Sequence, residues 1–120
     1  MEKTYSIASL QSASEHLKTV EKVINKIMSG NLDQLEVHFD PTSIPDTMVT
    51  TIKNAILEIE SAYGRPTIST LVGFEFNNVA GTNEPVFVSY TALSNPKGYS
   101  LYKLIQRSSD KRIIYVGLNE

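Results

Sequence analysis

Apolar residues between Met48 and Pro66 repeat with a helical period. Val49, Ile52, Ile56, Ile59 and Tyr63 recur at steps of three and four, which puts them on one face of a 3.6-period helix. Ala55 and Ala62 widen that stripe, while Thr51, Lys53, Asn54, Glu58 and Glu60 fall mostly on the solvated side. Asp46 follows Pro45 and is placed to cap the first turn, its charge suiting the positive helix end. Gly64 supplies a left-handed stop, and Pro66 pushes Arg65 toward extended geometry. The stripe must pack on something, and the sheet predicted downstream is the natural partner.

Upstream, residues 1–8 read as a loosely held lead-in. Ser9, Ser12 or Ser14 is a candidate cap for a first helix carrying Leu10, Leu17, Val20, Val23, Ile24, Ile27 and Met28. Ser29-Gly30-Asn31 ends it. Asn31 then caps a short second helix with Leu32 and Leu35 inward, and the prolines of Asp40–Pro45 make a loop.

After Pro66 the period changes to two. Ile68, Thr70, Val72, Phe74 and Phe76 alternate with Thr67, Ser69, Leu71, Gly73 and Glu75, predicting a long strand with its first set on the core. Gly73 marks a bulge or bend. Val86, Val88, Tyr90 and Ala92 are read as the inward set of the next strand, opposite Phe87, Ser89, Thr91 and Leu93. Asn95-Pro96-Lys97-Gly98 has the order of a type I turn. Strands over 99–107 and 112–118 follow, joined by the turn Ser108–Lys111. The expected plan is α+β: three helices packed on a curved four-stranded antiparallel meander, as one domain over residues 1–120.

Composition narrows the function classes. Apolar content of 41% and charged content of 20% are ordinary for a globular domain. A net charge of -2 gives no basic footprint, so nucleic acid is not expected as a partner. No apolar run approaches the roughly 20 residues that span a bilayer. Zero cysteines exclude disulfides and thiolate chemistry. The start lacks a signal-peptide pattern. The protein is therefore expected to be cytoplasmic if complete, or exported if a leader was trimmed.

The order of elements resembles the nuclear transport factor 2-like superfamily, the cone-shaped fold shared with ketosteroid isomerases and scytalone dehydratase. The resemblance rests on Ile27-Met28-Ser29-Gly30-Asn31 leading into Leu32–Leu35, on the break at Tyr63-Gly64 into a long strand, and on the closing Arg112-Ile113-Ile114-Tyr115-Val116-Gly117-Leu118. That ending is similar to the final strand of small bacterial exported domains of the superfamily. No tryptophan precedes the final strand, where many relatives have one.

Candidate chemistry is sparse. His38 and Asp40 are the close His/carboxylate pair, two apart and able to form a general-base dyad if they face a pocket; otherwise they are ordinary loop-rim residues. His16, beside Glu15, reads as a surface histidine. Two distant histidines without clustered acids do not make a zinc site, and no cofactor motif is present. The resemblance implies a pocket inside the cone, with Tyr63, Tyr90, Phe74 and Phe76 as its candidate lining. The alternative is that both tyrosines are core residues. Leu71, Phe87, Leu93, Tyr102, Leu104, Ile113 and Tyr115 fall on the phase assigned outward, more apolar surface than a solvated sheet face carries. A homodimer packing sheet to sheet is expected there, with Leu71, Phe87, Tyr102, Ile113 and Tyr115 at the interface, unless the phase of the third strand is reversed. The leading expectation is a non-enzymatic domain binding a small apolar ligand or a protein partner. Its rivals are an isomerase- or dehydratase-type enzyme and, from the resemblance, an exported cell-envelope domain.

Overall fold

The computed structural model describes the backbone of residues 7–119 and the side chains of residues 10–119. The elements are α1 (Ile7–Ser29), a 3₁₀ turn (Leu35–His38), α2 (Asp46–Tyr63), β1 (Ile68–Asn78), β2 (Pro85–Asn95), β3 (Gly98–Arg107) and β4 (Ile113–Asn119). The class is α+β, with the strands antiparallel in the sequential order β1-β2-β3-β4 of an open sheet. Of the expected lead-in, positions 1–6 lie outside the described residues, and positions 7 and 8 already belong to α1. The candidate caps Ser9, Ser12 and Ser14 sit inside that helix. In place of the short second helix the chain makes a four-residue 3₁₀ turn, entered through Gln34 in a left-handed conformation. Its Leu35 is buried.

α2 occupies the span its period predicts and buries Val49, Ile52, Ile56 and Ile59. The cap position falls on Pro45, whose side chain makes no cap bond. Its carbonyl accepts from Met48 N and Val49 N. Asp46 is the first helical residue, where its charge still suits the helix end. Gly64 ends the helix with φ 92° and donates its N–H to the Glu60 carbonyl. A Cβ at Gly64 would lie 2.9 Å from Cδ of Pro96 in the β2–β3 turn. Glycine is needed there both for the backbone and for the close approach.

Helices cover one face of the sheet. α1 stacks His16 on Phe87, and Leu93, Tyr102, Leu104 and Ile113 join Val20, Val23, Ile24, Ile27, Leu35, Phe39, Ile44, Ile52 and Ile56 in one core. Each such buried aliphatic side chain contributes about 1.5–3 kcal/mol of transfer free energy, which is where the helical stripes find their stability. Burial pushes the Tyr102 phenol up to about 12.

This core reverses two face assignments. In β2 the helix-facing set is Phe87, Ser89, Thr91 and Leu93, and in β3 it includes Ser100, Tyr102, Leu104 and Gln106. Val86, Val88, Tyr90 and Ala92 point the other way. Ser89 and Thr91 make the helix-facing set of β2 look like the more polar one, and pattern alone then selects the wrong phase.

Bulges split β1 and β4. The β1 register shifts between Leu71 and Gly73, so Phe74 and Phe76 keep the expected helix-facing side while Ile68, 60% exposed, turns to the other face. In β4, Gln106 pairs with Ile113 and Ile105 with Tyr115, leaving Ile114 as the extra residue. Ile113 therefore enters the core and Tyr115 the open face. Phe39 forms a parallel bridge with Ile113, fastening the loop before α2 to the sheet edge.

Candidate functional site

The residues singled out as a base do not share a pocket: His38 lines a depression of about 280 Å³ that Asp40 does not line. Asp40 Oδ2 accepts from Ser43 Oγ at 2.7 Å and Ser43 N at 3.0 Å, and Arg107 Nη2 lies 3.4 Å away. The Ser43 hydroxyl, its backbone N–H and Arg107 hold the carboxyl below its ordinary value, which weakens it as a base. Arg107 also pairs with Glu84 at 3.1 Å and Asp110 at 3.0 Å, so Asp40 belongs to a clamp joining three loops. His38 ends the 3₁₀ turn beside Thr19, Lys111 and Arg112, its pKa lowered by burial and by Lys22 and Lys26. Among the described residues no hydrogen bond or ion pair joins His38 to Asp40, and no group of acids and histidines is arranged to hold a metal.

The candidate ligand residues are likewise divided. Phe74 and Phe76 lie on the helix-facing side, against Phe87 with centroids 5.4 and 5.2 Å away. Tyr90 is on the opposite face of the sheet. Tyr63 is half-buried in the last turn of α2. Of the candidate interface residues, Phe87, Tyr102 and Ile113 are core residues, removed from any surface. Leu71 and Tyr115 remain 43% and 48% exposed, but on opposite faces, so the expected five-residue patch does not form.

On the helix side, Leu17, Val20, Ile24, Leu71 and Thr91 line a groove of about 170 Å³. That is small beside the roughly 300–1,000 Å³ of a typical ligand pocket. Nearby, His16 is fully buried and neither ring nitrogen has a hydrogen-bond partner. Ser89 Oγ and Gln106 Oε1 are unpaired too. Gln106 Nε2 donates to the carbonyls of His16 and Lys111, tying α1 to the β3–β4 turn. Burial depresses the His16 pKa, Lys111 lowers it further and Glu15 opposes both.

The open face of the sheet carries larger concavities. Depressions of about 270 and 320 Å³ share Lys103 and Tyr115 and together make a trough, the larger reaching Glu75 and Asn77 of β1. One rung runs Tyr90–Lys103–Gly117, and the next runs Glu75–Val88–Ile105–Tyr115. The Lys103 ammonium lies 5.8 Å from the Tyr90 ring centroid and 5.9 Å from that of Tyr115. Each such contact is worth about 0.5–1 kcal/mol at an exposed site. Tyr115 lies across Gly117, where a Cβ would sit 2.9 Å from its ring. Glycine at 117 thus lets the phenol fold down toward the lysine. Val86 and Val88 are 3% and 5% exposed at the bottom of the larger depression, below Val79 and Ala80.

Lys103 is the residue at the centre of these depressions that sequence reasoning missed. A signal was present: a lysine inside the apolar run Leu101–Ile105. Its meaning depends on strand phase, which the local pattern does not decide. Comparison of the chain with protein-family models, with curated proteins and with solved structures finds no match.

Proposed function

We propose that this protein is a binding domain of the nuclear transport factor 2-like plan, and that its working surface is the open sheet face. The observation that carries the reading is the pair of depressions that meet at Lys103 and Tyr115, largely apolar in lining and bare of helices among the described residues. A concave, largely apolar surface with a few placed polar groups is the usual form of a small-molecule site. The order of helix, turn, helix and four-stranded meander, the break at Gly64 and the bulge in β1 support the family reading. Catalysis of the isomerase or dehydratase type is less well supported, because Asp40 is committed to Ser43 and Arg107.

The occupant is a small elongated apolar molecule. Nile red, a neutral solvatochromic probe, tests this. Its emission rises on binding the wild type and is lost in Tyr115→Asp, whereas Leu71→Asp, on the helix-side groove, leaves it unchanged. Loss with Leu71→Asp alone would move the site to that groove.

A second reading has its own support. Ile68, Tyr99 and Tyr115 are exposed on the open face, and Glu75 and Lys103 share it, so a two-fold copy would pair unlike charges across an apolar contact. A concentration-dependent dimer that Tyr115→Asp dissociates would favour a homodimer through this face.

A further inference from the structure

We propose that Lys103 anchors the carboxylate of an elongated monocarboxylic ligand lying in the open-face trough, an inference that rests on that face being the binding surface. Lys103 projects from the middle of β3 and is half-buried on an apolar surface. Among the described residues no carboxylate lies within ion-pair distance of it, as for several surface lysines, but Lys103 is half-buried in the middle of a strand rather than on an exposed helix or turn. Two tyrosine rings flank the ammonium, and aromatic faces leave its hydrogen-bond donors unused. A carboxylate seated between Tyr90 and Tyr115 would accept from those donors in a charge-assisted bond.

The trough also sets the ligand's shape and charge. From the Lys103 rung the floor runs through Val88 and Ile105 to Val86, two rungs on. That is roughly 13 Å, the length of a chain of about ten carbons, apolar through Val88 and Ile105 and ending where Val86 stands between Asn77 and Arg107. Glu75 stands beside this tail path, on β1, two strands and one rung from Lys103. Their Cα atoms are roughly 12 Å apart on sheet spacings. Glu75 does not pair with Lys103, and Arg107, beside Val86 at the far end, is already engaged by Asp40, Glu84 and Asp110, so a second anion finds no open partner there. The face therefore selects a monocarboxylate over a dicarboxylate of equal length.

Titration calorimetry with decanoate, decan-1-ol and decanedioate, each below its aggregation concentration, tests the proposal. The wild type binds decanoate about tenfold more tightly than decan-1-ol, as one charge-assisted bond would give. Decanedioate binds more weakly than decanoate. Lys103→Met, which keeps the apolar stem, brings decanoate down to the decan-1-ol level, and Lys103→Arg keeps the preference. In the wild type, added salt weakens decanoate binding and leaves decan-1-ol binding unchanged, a readout independent of how any variant folds. Equal binding of decanoate and decan-1-ol, or a preference surviving Lys103→Met, overturns the anchor while the open-face reading stands. Failure of both ligands to bind overturns both.

Discussion

The imidazole of His16 lies flat on the ring of Phe87, with centroids 4.7 Å apart and planes 11° from parallel. The contact docks α1 on β2, yet it leaves both ring nitrogens buried without partners. The folded state therefore disfavours the charged imidazole, and the His16 pKa is depressed from its ordinary 6.5. In that situation the unfolded chain binds the extra proton first. Stability is full above about pH 6.5, falls as pH drops below it, and levels off below the folded-state pKa.

His16→Phe keeps the stack and removes both unpaired nitrogens. It should raise stability by about 1 kcal/mol at pH 7 and by more at pH 5.5, because burying an unsatisfied polar group costs about 1–3 kcal/mol. Urea melts across that range measure it. His38, whose pKa is also depressed, leaves a residual slope of the same sign. An unchanged slope in His16→Phe would place the titration elsewhere.

Gly64 and Gly81 separate backbone strain from space. Both have positive φ, at 92° and 77°, but only at Gly64 would a Cβ meet another side chain, Pro96. Gly81→Ala should cost about 1 kcal/mol from its left-handed backbone, and Gly64→Ala about 2–3 kcal/mol, since the Pro96 turn must also shift. Equal losses in thermal melts would mean that the turn yields freely.

Arg107 holds Glu84, Asp40 and Asp110 together while about a quarter exposed, at 27% of its side-chain surface. Arg107→Met should lower stability by about 1–2 kcal/mol at low salt, the scale of a few partly exposed pairs. The loss should shrink in 1 M salt, where the Debye length is about 3 Å. A salt-independent loss would point to packing of the arginine stem instead.

Ile56 and Leu57 are neighbours on α2, one in the core and the other 48% exposed. Ile56→Ala should cost about 2–5 kcal/mol. Leu57→Ala should stay within about 0.5 kcal/mol, as exposed substitutions usually do. Comparable losses would mean that the outer side of α2 is covered in solution.

Which parts of this fold were legible follows from how many constraints acted on each. The period of Val49, Ile52, Ile56 and Ile59, closed by Gly64 and Pro66, located α2 because spacing and breakers agree. Gly73 announced the irregularity beside it, and the Asn95–Gly98 pairing followed its turn residues. The phases of β2 and β3 were not legible. In VFVSYTAL the buried set carries Ser89 and Thr91 and looks the more polar, so the choice of face depends on what α1 brings down on Phe87. The same long-range contact buries His16, which sequence neighbours such as Glu15 make look solvated. Lys103 could not be placed without those phases, and Ile113 and Tyr115 are separated by a bulge that no glycine or proline marks.

The central claim is that the open sheet face, not the helix-side groove, takes the ligand. Amide chemical-shift mapping with decan-1-ol tests this most directly, because a neutral probe does not depend on the anchor. The account predicts shifts clustered at Tyr90, Lys103, Ile105, Tyr115 and Gly117. Shifts concentrated at Val20, Ile24, Leu71 and Thr91 would contradict it.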